Sequence, residues 1–394
     1  MSAQFEEFTR AASRTRSGSA PDATPMSNVA VLGGGPDARL IAALCLSEGC
    51  NVTLFSAYGK ELELLRRSSG IGLRGEGPVG TYQVDNGADS VLLTAELDAA
   101  VTHAEVIFLT GPIHKQRTYA MVLADHLADG QALVLAPGRS LGAVETAWML
   151  RLGGCCADVT IVEMQGLPYW FRTEGANLHL SASGPMLTAT LPRNRTAVIQ
   201  SLKTVFPDLI EAESVLATGF ADLSAAVEIP ALVMGGAGLI SGGVKVPMGG
   251  VPLPQNTTFA TLIGSDQRRL IEALAEERRT VAQSFGIRDL PDADSWIATY
   301  TGPEKGEGAR AVPDHKEART LLRDGVIGSL VPLMSAAALA GVKVPQTEAI
   351  AALTGAILDA DIAASGRRLE TMGIAADTLD DARRAFDALM PGGY

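Results

Sequence analysis

The sequence predicts an α/β fold: a doubly wound parallel sheet, followed by a mostly α-helical C-terminal domain. Three observations predict it. An apolar strand, a glycine turn, a helix and a second strand follow one another within residues 28–57, the plan of a βαβ unit. Apolar runs suited to buried strands recur at residues 106–109, 133–135 and 159–162, separated by helix-like segments, and that alternation builds a parallel sheet. From about Thr196 the pattern lengthens into helical periodicity, most plainly over residues 257–285 with their Glu276, Glu277, Arg278 and Arg279 face. The expected division is therefore a tail at 1–27, a Rossmann domain at 28–195 and a helical substrate and dimerisation domain at 196–394.

Each element has its reason. Residues 1–27 are rich in Ser, Ala, Arg and Pro without an apolar stretch, the composition of a disordered extension rather than a secretion signal. Val29, Ala30, Val31 and Leu32 form a short buried-strand run, and Gly33-Gly34-Gly35-Pro36-Asp37-Ala38 then fits G-x-G-x-x-A, the alanine-ended dinucleotide fingerprint. Gly33 makes the tight turn, and Gly35 leaves room for a pyrophosphate. Pro36 suits the first helical position, with Asp37 beside it in the same turn. Ala38 lets helix and strand pack closely, and the free N–H groups of the helix start bind phosphates.

The helix continues through Leu40, Ile41, Ala43 and Leu44, and the second strand through Val52 and Leu54. It ends Leu54-Phe55-Ser56-Ala57, without the Asp or Glu that accepts ribose hydroxyls in NAD-binding folds. Ser56 is able to donate to a 2′-phosphate, and Lys60, Arg66 and Arg67 follow closely, so NADP is favoured. The alternative is that these basic residues form a solvated helix face and that NAD binds without the acidic contact.

Gly111-Pro112-Ile113-His114 and Ala136-Pro137-Gly138-Arg139 follow two further strand ends, where ligands bind in such sheets. Pro112 and Gly138 thus join the cofactor candidates. Residues 295–314, with Gly302-Pro303, Gly306 and Gly308, read as a lid or substrate loop. The apolar stretches 225–240 and 326–342 are short and are interrupted by Glu228 with Pro230 and by Pro332, so buried helices of a core or dimer interface are expected rather than membrane spans.

A formal net charge of −12 argues against nucleic acid or an anionic membrane as partner. Cys45, Cys50, Cys155 and Cys156 are few and scattered, which implies reduced thiols and a cytoplasmic setting. No metal-ligand spacing is present.

Several stretches resemble the octopine/nopaline (opine) dehydrogenase family. They are Leu123-Ala124-Asp125-His126-Leu127-Ala128-Asp129-Gly130-Gln131, Leu135-Ala136-Pro137-Gly138-Arg139 and Val162-Glu163-Met164-Gln165-Gly166-Leu167-Pro168-Tyr169. Further on, Arg319-Thr320-Leu321-Leu322-Arg323-Asp324 resembles the family's Arg-Tyr-Leu-x-Glu-Asp stretch, and Gly366-Arg367-Arg368-Leu369-Glu370 its closing Gly-Arg-Thr-Leu-Glu. The resemblance implies an NAD(P)H-dependent reduction of the imine formed by an amine or amino acid and a 2-oxo acid, or the reverse oxidation; a homodimer is the expectation from the apolar helices of the second domain. It also implies that Arg319 binds a substrate carboxylate and that Asp324 orients a catalytic histidine. That histidine is absent: where the family has His-Pro, this chain has Ile229-Pro230.

Three substitutes are open for the proton work: Glu228 beside the vacant position, His114 and His315. A carboxylic acid in an apolar helix has its pKa raised by desolvation, as a general acid requires; the competing reading of Glu228 is a buried carboxylate paired with arginine. Arg172 is either a ligand contact or an ion-pair partner, and His103, His126 and His179 read as structural or surface residues.

Gly138-Arg139-Ser140-Leu141-Gly142 is a formal G-x-S-x-G between strand and helix, but a hydrolase has no use for a dinucleotide fingerprint. A β-hydroxyacid or ketopantoate-type dehydrogenase would need a lysine early in the second domain, and none lies between Thr218 and Ile240. A non-catalytic NADP-binding protein is the third alternative.

Overall fold

Strand β1 (Asn28–Leu32) is apolar on both faces and buried on both, so it demands a layer on each side. The computed structural model, which describes residues 25–68, 70–182, 184–235, 257–306 and 308–388, supplies them. Val29 and Val31 pack with Leu40, Ile41 and Leu44 of α1 (Pro36–Ser47). Ala30 and Leu32 pack the opposite way, with Leu123, Ala143 and Leu150. Strand β2 (Asn51–Phe55) pairs with β1 in parallel.

After α2 (Gly59–Ser68) come β3 (Gly70–Gly75), β4 (Gly80–Gln83), β5 (Leu92–Thr94), α3 (Leu97–Val101) and β6 (Val106–Leu109). The chain continues through α4 (Ile113–Leu123), β7 (Ala132–Leu135), α5 (Gly142–Leu152), β8 (Thr160–Met164), β9 (Tyr169–Glu174) and β10 (Asn177–Ala182). Strand β11 (Met186–Leu191), α6 (Ala197–Leu202) and β12 (Leu209–Glu211) close this half.

The main sheet has the order β12-β11-β8-β7-β6-β1-β2-β5, parallel except where β11 runs against β8. This is the doubly wound sheet that the sequence predicts. It extends past residue 195, because β11 turns back and α6 carries the chain to β12, a strand too short to show in the sequence. A second sheet, β4-β3-β10-β9, was not foreseen. Its Ile71, Leu73, Leu178 and Leu180 cover α1.

The rest is helical, as expected: α7 (Val215–Ala221), α8 (Ser224–Gly235), α9 (Ser265–Ser284), α10 (Ala293–Thr301), α11 (His315–Gly325), a π-turn at Val326–Leu330, α12 (Val331–Ala340), α13 (Pro345–Leu358) and α14 (Leu379–Ala388). Helix α8 lies at the centre of this half, its Ala225, Val227, Ile229 and Leu232 packed with Ile271, Leu274, Leu322 and Ile350. The helical runs Val215–Met234 and His315–Ala340 are long and apolar enough to cross a membrane, and 89% and 72% of their most apolar windows are buried inside the fold. Most of the expected tail, and residues 236–240 of the first apolar stretch, lie outside the described residues.

One side chain from near the end of the chain fastens the two halves. Arg367 is fully buried; it pairs with Glu145 at 2.8 Å and donates to the carbonyls of Gly138 and Ser140 at 2.7 and 3.1 Å. The Gly-Arg pair of the closing motif is thus architectural, and Gly366 has no room for a Cβ beside Val331. Arg367→Ala leaves Glu145 to Arg117 alone and strands two buried carbonyls, so urea unfolding should show a loss of about 2–4 kcal/mol; a loss below about 1 kcal/mol would remove Arg367 from this role.

Candidate functional site

The glycine turn has the shape that a dinucleotide needs. Gly33 sits at φ +128°, and a Cβ there would lie 2.5 Å from Thr110 Oγ1, so no other residue fits. Gly35 caps α1 without a side-chain hydrogen bond, and nothing lies within 4 Å of where its Cβ would be. Pro36 opens the helix, and Ala38 is fully buried against the sheet. The first-turn N–H groups of α1 are therefore left for an anion. The turn lies between the carboxyl ends of β1, β2 and β6, the crevice where such sheets bind nucleotides. Asp37 in the same turn has its carboxyl pushed up to about 6 by burial and by the charge of Asp324, against the pull of Arg139 and Arg39.

The edge of β2 differs from expectation. Ser56 is fully buried; its hydroxyl donates to Glu61 Oε2 at 2.6 Å and accepts the Tyr58 N–H at 3.1 Å. Glu61, in the first turn of α2, folds back over Gly34, where a Cβ would lie 2.3 Å from its Oε2. A carboxylate does stand at this strand end, brought there by the turn rather than by the strand. Lys60 is exposed, Arg66 is held by Asp85 and the Leu93 carbonyl, and Arg67 pairs with Glu63. Of the residues that favoured NADP, Ser56, Arg66 and Arg67 are engaged within the protein, and Lys60 is left facing solvent.

Asp324 closes the other side of the crevice. It lies in the last turn of α11 and is buried. Its Oδ2 accepts the Ile113 N–H at 3.2 Å. Its Oδ1 has no hydrogen-bond partner and lies 3.9 Å from His114 Nδ1. His114 follows the N-cap Pro112 in the first turn of α4, and its side chain is 42% exposed, so a ligand can reach it. Ile229, at the position of the family's histidine, is fully buried and packs on Gly325 beside Asp324. Hydrocarbon fills the place on the helical side, and a histidine reaches Asp324 from the sheet side instead.

The backbone after Asp324 serves the same corner. Pro332 lacks the N–H that would bond the carbonyl four residues back. That carbonyl, of Gly328, accepts the Ser140 N–H at 2.9 Å instead, and the helix relaxes into its π-turn. Arg139 on this loop takes the left-handed region at φ +56°, which delivers its guanidinium to the domain interface.

There Glu228 lies between two arginines: Oε2 is 3.3 Å from Arg139 Nη1 and Oε1 is 2.9 Å from Arg310 Nη2. Arg139 also donates to Ser224, and Arg310 stacks on the rings of Trp170 and Phe259 at 3.9 and 4.1 Å. Both oxygens of Glu228 are committed to cations, the arrangement of a structural ion pair. Burial works against the charge of Arg139, but Glu228 and Asp222 hold its pKa above the ordinary arginine range. Its Nε has no partner.

The remaining candidates lie apart. His315 is nine residues before Asp324 on α11, about 13 Å along the axis. Arg319 donates to the Leu358 carbonyl at 3.1 Å. Both polar groups of the Gly138 backbone are used, by Met164 and Arg367. Arg172 pairs with Glu174 on an exposed strand.

Ser140 donates to Gly219 and Asp222 and not to a histidine, so the formal elbow is a packing feature. The expected lid begins with α10 and ends pinned, since Arg310 reaches Glu228 and Phe259 N–H bonds the Arg310 carbonyl at 2.8 Å. Arg139 and Arg310 are what sequence reading missed; an arginine within the G-x-S-x-G and another in a glycine-rich loop were the only signals.

No family model matches the chain. It is 26% identical over 372 residues to the opine dehydrogenase of Arthrobacter sp. (strain 1C), covering 91% of this chain and 98% of that one. A solved octopine dehydrogenase with NADH and pyruvate shares the fold at a TM-score of 0.68 and 18% identity, over 90% of this chain and 97% of that one. A yersinopine dehydrogenase with NADP+ shares it at 0.59 and 13%, over 92% and 98%.

Beneath the Gly138 loop, Glu163 is fully buried and accepts hydrogen bonds from Ala143 N–H and the Thr218 hydroxyl. Burial raises its carboxyl from an ordinary 4.5 to about 7. Between those values the native state holds a proton that the unfolded chain has lost, so stability falls as pH rises. In Glu163→Gln, the decline in thermal midpoint from about pH 4.5 to about pH 7 should shrink to the share due to Asp37 and Glu317. An unchanged decline would contradict the assignment.

Proposed function

We propose that this chain, a member of the opine dehydrogenase family, binds a nicotinamide dinucleotide and reduces the imine formed by an amine or amino acid and a 2-oxo acid, or oxidises the secondary amine in reverse. The observation that carries the reading is the approach of Asp324, from the helical half, to His114, on the sheet half, at the crevice of the glycine turn. Gly33, Gly35 and the start of α1 would hold the pyrophosphate. The bound cofactor supplies or accepts hydride.

The protein manages the proton and the substrate. Asp324 is anchored through Oδ2 by the Ile113 N–H, leaving Oδ1 to orient the imidazole and balance its charge when protonated. His114 gives a proton to the imine nitrogen during reduction and takes one from the amine during oxidation, so that one proton and one hydride convert imine to amine. A guanidinium holds the substrate carboxylate: Arg319, as the resemblance implies, or Arg139 at the domain interface. The proposal extends to a cytoplasmic homodimer that acts on small molecules without nucleic acid or membrane; the net charge of −12 and the four free cysteines support it.

The test is cofactor oxidation in the presence of amine and oxo-acid pairs. Turnover should require both partners, whereas turnover with an oxo acid alone would move the protein to a hydroxyacid dehydrogenase. His114→Asn and Asp324→Asn should each lower kcat by about 10²- to 10⁴-fold, with cofactor affinity unchanged. Wild-type kcat in His114→Asn would exclude the histidine.

A further inference from the structure

We propose that Glu61 selects the cofactor and that the protein takes NADH in preference to NADPH. The proposal rests on the reading that the glycine turn holds a nicotinamide dinucleotide, and it names a residue that lies outside the usual place for the task. In such folds an acidic residue at the end of the second strand accepts the adenosine ribose hydroxyls. Here that strand ends in Ser56, which is fully buried and cannot face a ligand. Its one donor hydrogen goes to Glu61 Oε2 at 2.6 Å, and its oxygen accepts the Tyr58 N–H. The serine therefore acts as a bracket that holds the glutamate.

The geometry sets the carboxylate at the ribose side of the turn. Glu61 lies against Gly34, so close that a Cβ at residue 34 would overlap Oε2 at 2.3 Å and the Glu61 Cβ at 2.6 Å. This accounts for glycine at the middle position, which the fingerprint itself leaves free. Glu61 is half-buried, and its Oε1 has no hydrogen-bond partner among the described residues, which leaves an acceptor for the hydroxyls of a ribose.

A 2′-phosphate placed there would bring about two negative charges against a carboxylate. Most nearby cations have partners of their own: Arg39, which also feels the charge of Glu61, donates to the Gly175 carbonyl, Arg66 is held by Asp85, Arg67 by Glu63, and Lys115 lies over the Tyr58 ring. Lys60 is exposed to solvent.

The experiment is fluorescence titration of the full-length protein with NADH and with NADPH, for the wild type, Glu61→Gln and Glu61→Ser, with a thermal melt of each. Glu61→Gln keeps an acceptor for Ser56, and Glu61→Ser removes it, so folding and selectivity are read separately. Wild type should bind NADH more tightly. Both variants should shift the ratio of the two dissociation constants towards NADPH by about ten- to a hundredfold, the range for loss of a charge-assisted contact and of like-charge repulsion. Tighter or equal binding of NADPH by wild type, or an unchanged ratio in a folded variant, would overturn the role of Glu61. Binding of neither dinucleotide would instead overturn the functional reading on which the proposal rests.

Discussion

A backbone held in an unfavourable conformation by buried guanidinium groups governs this molecule. The loop after β7 places both Arg139 and Leu141 in the left-handed region, at φ +56° and +60°, where side chains other than glycine's are strained. It persists because several of its backbone polar groups are engaged. Arg367 takes the carbonyls of Gly138 and Ser140, and the Gly328 carbonyl takes the Ser140 N–H. Arg278, also fully buried, bonds the Gly219 and Ser329 carbonyls behind it. An unpaired buried group costs about 1–3 kcal/mol, so each bond that is made fixes the loop more firmly.

From that loop the site follows. Arg139 can meet Glu228 only because its backbone turns as it does, and Glu228 in turn draws Arg310 in from the far loop. The same docking brings Gly328 against Ile113 and the Arg139 side chain, which sets the end of α11 on the start of α4. Asp324 then finds the Ile113 N–H. The start of α4 has amides free to take such a carboxylate, so the contact ties the two halves together at this corner.

The fold was legible because its periodicities are local. The strand Val29–Leu32, the glycine turn and the runs at 106–109 and 133–135 carry their own patterns, and Asp324 stood out through its motif. The second sheet was not, since β3 and β4 hold Gly70, Gly72, Gly75 and Gly80 in place of a β-branched alternation. The site was legible in its members but not in its pairings. His114 and Asp324 are far apart in sequence, and no spacing rule links them. Ser56 and Glu61 are close, yet their bond depends on the turn at Tyr58, whose carbonyl accepts the Glu61 N–H at 2.9 Å. Glu228 shows the reverse: an ionisable residue in an apolar helix reads as catalytic until the two arginines that neutralise it are seen.

The central claim is that His114 and Asp324 act as one unit across the domain interface. A double-mutant cycle on kcat/KM, with His114→Asn, Asp324→Asn and the two combined, tests it most directly. Residues that act together are strongly non-additive, so the double variant should be little slower than the slower single one. If the two losses multiply, the histidine and the aspartate work independently, and the account of the site is wrong.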